Sequence, residues 1–503
     1  MRVPLYLQPR LEPPLSSLLE ATPFLHSLAD ALGSPLNVLL PDRIAENAER
    51  FRAVYRKHHL TGRVTFAHKA NRSSALLRRL AAADPASVGV DVASLGELQH
   101  ALSCGFTPDR ITATGPKDPA FLWLAARTGV TVHPDSVTEV EQLAELVRKF
   151  ALPRVDVLPR LSGFEAATGS GVSGVKVLSR RSRFGTPVGE LGTLLDALER
   201  HRDAVEPVGV AYHLDTTGLA EKAVALESCV AVMDEFRARG LDPRVVDIGG
   251  GFGVGYVEDA AQWERYTTEL TNAVMGTRPT LTWRGHGYGL RNEGGTLRGA
   301  LGLYPAHRPT AGPGYLDDLL SAPAPASGRP PATLLLEHLY DLAVQPGRAL
   351  VDQCGAVLAR VLDVRPTGSG DHLVRVGMNA GDMGLEEHGV LVDPLLLPRE
   401  GGEGKGGEGP DGGEGPVGVH LVGNLCLEAD LITRRTVYLP RLPRAGDLLA
   451  FANTAGYAMD FHAHAAQRQP LARTVAVVRD GGSWRWCPDE DYWPITQSGG
   501  PAS

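Results

Sequence analysis

A lysine, a glycine run, a histidine and an arginine stand at or just beyond the ends of apolar runs in this chain, and residues of these types can do chemistry together. Lys69 follows Phe66-Ala67-His68 and precedes Ala70-Asn71. Alone, a lysine is usually a solvated surface group, so its weight depends on its companions. Gly249-Gly250-Gly251-Phe252-Gly253 offers backbone that can close on an anion and present N–H donors to it. The run has neither the spacing of a dinucleotide fingerprint nor the lysine of a P-loop. His213 ends an apolar run, Pro346-Gly347-Arg348 supplies a guanidinium, and Cys426 and Tyr457 follow later. His462 and His464, two residues apart, would share one strand face, but no third ligand stands near them, so no metal site is expected.

Something must hold these groups together. From about residue 64 to 337 a short β-branched run, a polar turn and a segment of helical period alternate. The expected strands are 64–67, 88–92, 111–114, 130–133, 155–160, 208–213, 245–248 and 333–337, eight in all, as in a closed (β/α)8 barrel. Ser94 with Glu97 and Ser136 with Glu139 have the spacing of capping boxes, so each helix starts right after a strand. Active sites of such barrels gather at the C-terminal strand ends, where Lys69, His213 and the glycine run fall. Residues 255–331 lack a clear period and read as loops or a lid. Past Arg348 the runs 356–364, 372–376, 419–422 and 448–451 alternate with turns, as antiparallel strands do. The expected domains are a 40–335 barrel and a β-rich domain built from 1–39 with 336–503. Residues 400–418, rich in Gly and Glu, read as a disordered loop within it.

Composition narrows the partners. The chain has 503 residues, 43% hydrophobic and 21% charged, with 50 Lys+Arg against 58 Asp+Glu and no basic stripe, which excludes a phosphate-tracking nucleic-acid surface. Five widely spaced cysteines, never in a C-x-x-C pair, argue against a disulfide framework and for a reducing, cytoplasmic setting. No run approaches the ~20 apolar residues of a membrane span. The expected partner is a small molecule.

The motifs FAHKAN, VDVASLGEL, VHPDS, SRFG, AYHLDTTG, VDIGGGFG, QPGR, GNLCLEAD and FANTAGY occur in this order, within a stretch from about residue 33 to residue 457. On them the chain resembles the type III pyridoxal-phosphate decarboxylases, the group of diaminopimelate and ornithine decarboxylases. That resemblance implies a Schiff base between Lys69 and pyridoxal 5'-phosphate. It implies the Gly250, Gly251 and Gly253 amides, Thr216, Gly347, Arg348 and Tyr457 around the phosphate. His213 would lie against the ring and Arg160 near its hydroxyl, with Asp91 in support, while Glu97 is accounted for by its capping box. Cys426 would be the acid that protonates Cα, supplied by the neighbouring subunit of a homodimer with shared active sites.

Departures from the family bear on substrate. Leu427 stands where the family has an acidic residue after the cysteine, and Glu428, one place later, would face the other side of a strand. Asn379 replaces an aspartate, and GDMGLEEHG lacks the Arg and Tyr of diaminopimelate enzymes. Gln345 replaces the Glu before Pro-Gly-Arg, while Glu337 at the expected eighth strand end is a second candidate to face the pyridine nitrogen. The reading is a pyridoxal-phosphate-dependent decarboxylase of an amino acid or modified amino acid in specialised metabolism. The alternatives are an amino-acid racemase or epimerase on the same scaffold and a non-catalytic cofactor-binding protein.

Overall fold

Gly62–Ala67 is buried along its inner length and pairs in parallel with Val88–Val92, which pairs with Ile111–Ala113, and that with Thr131–Val132. The fifth strand is Val155–Val157 continued by Arg160–Ser162, and the sixth is Val205–Pro207 continued by Gly209–Tyr212. Each of these is broken for a residue or two but stays hydrogen-bonded to its neighbours, with Leu158 N donating to Val132 O and Val208 N to Val157 O. Val245–Asp247 and Asp341–Val344 complete the circle, the last pairing back onto the first strand. Gly62 sits at that closure with φ +131°, where a Cβ would lie 1.8 Å from Leu342 O. Only glycine fits. The structure, a computed structural model, describes residues 4–164, 182–214, 218–368, 370–399 and 415–494.

This is the expected closed (β/α)8 barrel, with one strand displaced. The segment expected as strand 333–337 is the helix Pro331–His338, which starts with proline in its first turn and ends at Leu339 in the left-handed conformation. A short apolar run of Leu-Leu-Leu without β-branched residues suits either state, and the proline settles it. The eighth strand comes four residues after Glu337.

Two compact units divide the chain. Among the described residues, one joins those of 44–253 and 310–350 with 493–494 and contains the barrel; the other joins those of 4–43, 254–309 and 351–492. The barrel unit therefore runs past residue 335, and residues 254–309 fall with the β-rich unit. The stretch 255–331 holds the helices Ala260–Met275 and Gly312–Ser321 and a hairpin of Leu290–Glu293 with Thr296–Gly299. The first of these helices buries only Tyr266 and Leu270, which is why its period was faint.

In the β-rich unit a nine-stranded sheet is mainly antiparallel. Gly355–Pro366 pairs antiparallel with Leu36–Leu39, His372–Val376 and Leu448–Ala452, and Leu36–Leu39 runs parallel to Arg473–Asp480. Two short helices, Leu15–Glu20 and Thr22–Leu32, pack their leucines on this sheet in a core with Leu36, Leu358, Leu448 and Val475. Residues 400–414 of the expected Gly/Glu loop lie outside the described residues, and its end, Val417 and Gly418, opens the strand Val417–Val422.

Candidate active site

The first barrel strand ends at Ala67 and turns through His68–Ala70, leaving Lys69 exposed at the C-terminal end. Asp91, on the neighbouring strand and 4% exposed, accepts from Thr112 Oγ1 and Thr114 Oγ1, each at 3.2 Å. Burial pushes its carboxyl up to about 7, against the pull of the Lys69 ammonium and the Thr114 hydroxyl. The Ser94 cap forms as expected, with Glu97 N donating to Ser94 Oγ at 3.2 Å and Ala93 N to Glu97 Oε2 at 2.7 Å. The cap uses one carboxylate oxygen only. The other, Oε1, lies 3.4 Å from His68 Nδ1. Burial acts to raise Glu97, but His68, the Ala93 amide and Lys69 together hold it below the usual carboxylate range.

Across the barrel end, Asp247 is 1% exposed and accepts from Gly249 N and Gln345 Nε2, both at 2.8 Å. Burial raises it to about 6. His133 Nε2 lies 4.0 Å from Asp247 Oδ2, buried and without a hydrogen bond. His213 Nδ1 accepts from Gly250 N at 3.0 Å. Burial, and then neighbouring cations, bring both rings down to about 3: Lys117 and Arg160 act on His133, and Lys222, Lys69 and Arg160 on His213. Both imidazoles are neutral at neutral pH. Arg160 lies 3.7 Å from Asp135 Oδ1 and 4.8 Å over the Phe184 ring of the SRFG motif.

The glycines earn their place by close approach. A Cβ on Gly250 would meet Gln345 O at 2.7 Å, and one on Gly251, at φ +85°, would meet Leu214 O at 2.7 Å. Gly253 O accepts from Gly312 N at 2.8 Å, and Gly347 O from Leu350 N at 3.1 Å, with Arg348 half-buried beside it. Beneath the run stands a group that motif reading missed. Lys222, on the helix Leu219–Ala238, is fully buried, donates to Gly250 O and lies 5.0 Å over the Phe252 ring. Nothing in its local sequence marks it, whereas Asp247, two residues before the first glycine, could have been found.

Other expected members fall elsewhere. Glu337 is exposed on its helix and paired with Arg329, so of the two candidates only Gln345 reaches the barrel end. Thr216 lies outside the described residues. Cys426 and Tyr457 belong to the β-rich unit. Cys426 is exposed, and its N–H donates to Gln467 Oε1 at 2.9 Å. Tyr457, at φ +65°, has its ring 5.7 Å from Phe461 and 6.1 Å from His388. The segment after Cys426 is a turn rather than a strand. In it Leu427 is 57% exposed, and Glu428 lies 3.2 Å from Arg284. Asn379 caps the short turn Ala380–Asp382, its side chain accepting from Gly381 N at 2.9 Å. His462 and His464 lie outside any strand, with the His462 ring 5.2 Å from His388.

The family described as "Pyridoxal-dependent decarboxylase, pyridoxal binding domain" matches residues 42–284. The chain is 29% identical to the "Uncharacterized protein y4yA" of Sinorhizobium fredii, over 91% of each chain. It is 24% identical to diaminopimelate decarboxylase of Methanothermobacter thermautotrophicus, over 90% of this chain and 89% of that one. Among solved structures, diaminopimelate decarboxylase from M. jannaschii with L-lysine superposes with a TM-score of 0.65 at 19% identity, covering 90% of this chain and 89% of that one. The arginine decarboxylase of Paramecium bursaria Chlorella virus superposes with a TM-score of 0.64 at 16% identity, covering 91% and 100%. At these identities the structural likeness shows the fold.

Proposed function

We propose that this chain, a divergent member of the pyridoxal-dependent decarboxylases of the diaminopimelate, ornithine and arginine group, decarboxylates an amino acid whose far end carries no free ammonium, with Lys69 bonding the cofactor. Pyridoxal phosphate and amino-acid decarboxylation come with the family; the residue roles and the substrate are our reading. One observation carries it: Lys69, Asp91, His213, Arg160 and the glycine run meet at one barrel end.

The residues there fit such a group. A dianion needs amides and cations, and the site has a glycine run that side chains would block, with the buried Lys222 beneath it, while Arg348 follows three residues after Gln345, whose carbonyl the run approaches. His133 Nε2 is a buried polar atom still lacking a hydrogen bond. Once bound, the cofactor supplies a ring that accepts the electron pair left when CO2 departs. Asp91, near 7, and Glu97, below the usual range, place one carboxyl that titrates near neutrality and one ionised carboxylate around the Lys69 amine. His213, kept uncharged, offers a ring face without adding a cation. Gln345 donates to the buried Asp247, so a neutral amide backed by a carboxyl group stands where the family has a glutamate.

Leu427 argues for the substrate class. Leu427 is exposed on the single chain; where a second copy covers it, a buried, unpaired ammonium costs several kcal/mol, more than an aliphatic contact returns at ~0.8 kcal/mol per methylene, while Glu428 pairs with Arg284 at the surface. The distal group is therefore acylated, amidated or apolar. Cys426, exposed on its own unit, serves a second copy of the chain in a cytoplasmic homodimer. Among the described residues no helix is long and apolar enough to cross a membrane.

The test loads the chain with pyridoxal phosphate, reduces it with borohydride and maps the added mass. It should fall on Lys69, and Lys69→Ala should lose it while keeping its fold. Release of CO2 without Cα deuterium exchange from the same substrate separates decarboxylation from racemisation. An N-acylated diamino acid should exceed free lysine, ornithine and diaminopimelate in kcat/KM by at least about tenfold, equivalent to ~1.4 kcal/mol. Efficient turnover of those three overturns the substrate reading.

A further inference from the structure

His68 precedes Lys69 on the same turn and is 3% exposed, and its two ring nitrogens face different partners. Nδ1 lies 3.4 Å from Glu97 Oε1, buried and without a hydrogen bond. Nε2 lies 2.8 Å from His100 Nδ1. His100, half-buried in the last turn of the helix Leu95–Ser103, continues the line, its Nε2 standing 2.9 Å from Ser74 Oγ. The two rings cross at 73° with centroids 5.1 Å apart, so they meet through their nitrogens rather than by stacking. The inner end is Glu97, which also feels the Lys69 ammonium.

An imidazole can accept a proton on one nitrogen while releasing one from the other. In one setting of this line, His68 Nδ1–H points to Glu97, His100 Nδ1–H donates to His68 Nε2, and Ser74 O–H donates to His100 Nε2. A proton arriving from water at His100 Nε2 releases the Nδ1 proton of His100 to His68 Nε2. His68 then releases its own Nδ1 proton to Glu97, and the Ser74 hydroxyl turns from donor to acceptor. One proton enters, one is delivered, and the carboxylate becomes a carboxylic acid.

Loss of CO2 from an amino acid with a proton taken up at Cα consumes one proton from water per turnover, whereas racemisation consumes none. The other two histidines at this barrel end, His133 and His213, are held neutral and are poor carriers near neutral pH. We propose that His100, His68 and Glu97 form the path by which a proton from water reaches the Lys69 end of the site. The proposal rests on the reading of Lys69 as the cofactor lysine. His68, His100 and Glu97 act through that end of the site, as positioning and relay groups.

The test uses the full chain with 15N-labelled histidine, before and after loading with pyridoxal phosphate. A 15N–15N coupling across the hydrogen bond between His68 Nε2 and His100 Nδ1 is expected in the wild type and absent in His100→Gln; its absence from the wild type overturns the proposal. In the loaded chain, a photoreleased proton shifts the pH, and the absorbance of the bound cofactor reports protonation without any substrate. His100→Gln, whose amide can hydrogen-bond but cannot pass a proton, should slow that response by about tenfold or more. Imidazole in the buffer should restore it in His100→Ala. Circular dichroism confirms that both variants fold, and His68→Gln serves as the second variant should either fail. A wild-type response in His100→Gln means that the proton enters elsewhere and overturns the path. If the wild type forms no cofactor absorbance at all, the reading of Lys69 falls and takes the proposal with it, a failure that a missing coupling alone would not produce.

Discussion

Replacing Asp91 with asparagine should make the cofactor-free protein more stable, and increasingly so as pH rises. Asp91 is 4% exposed, and burial raises its carboxyl from 3.8 to about 7 even though Lys69 and Thr114 favour its ionised form. A carboxyl with a raised folded-state pKa holds its proton more tightly in the folded chain. Its contribution to stability is complete below the unfolded pKa and is lost as pH climbs through the folded one. Between about pH 5.5 and about pH 8, the linkage relation gives a loss of about 2 kcal/mol for a shift of this size. Asparagine keeps the shape and both threonine contacts without the charge, so the variant should escape that loss. Because the chain has two units, one global unfolding energy is poorly defined. The measurement is therefore the urea dependence of amide exchange in the central barrel strand Val88–Val92, taken at both pH values for both proteins. Carboxyl 13C shifts, with Asp91 assigned by its disappearance in the variant, give the pKa directly. If the two proteins change in parallel to within about 0.5 kcal/mol, or the Asp91 resonance titrates near 4, the assignment of a burial-raised carboxyl is refuted.

Three further outcomes follow from other contacts. Lys69→Ala and Cys426→Ala, each inactive alone, should recover part of their activity when mixed and allowed to exchange subunits; mixtures that stay inactive despite proven exchange would place the site within one chain. Lys222→Met keeps the volume but removes the buried cation that holds Gly250 O, so pyridoxal phosphate should bind about 10- to 100-fold more weakly in a fluorescence titration, the worth of one hydrogen bond to a charged group. An unchanged Kd would make Lys222 a brace for the loop only. Gln345→Glu sets a second carboxyl beside Asp247, where Gln345 Nε2 now stands at 2.8 Å. Two acids so close must share a proton, so this variant should lose about 1–3 kcal/mol relative to wild type as pH rises above about 6; a pH-independent difference would show that the two groups separate.

The sequence alone determined whatever depends on neighbours along the chain. The βα rhythm, the caps at Ser94 and Ser136, Lys69 after its strand and the glycines after theirs are local patterns, and each stands where its pattern put it. A cap needs only residues three apart, and a strand end needs only the turn that follows it. The tertiary structure decided every case in which a side chain's meaning comes from a distant partner. The Leu-Leu-Leu run became a helix, which exposed Glu337 and left Gln345 to meet Asp247, 98 residues away. Helix Ala260–Met275 was hidden because so narrow a face is buried. Lys222 has the sequence of a solvated helix lysine, yet folding seals it under the glycine run, where its carbonyl and aromatic partners, Gly250 and Phe252, come from the loop after the strand Val245–Asp247. His68 and His100 are 32 residues apart and become one line only because adjacent parallel strands deliver the turn and the helix that carry them to the same end of the barrel. Periodicity records which face of an element is buried, but the group it is buried against is set by strand order and register, which no local pattern encodes.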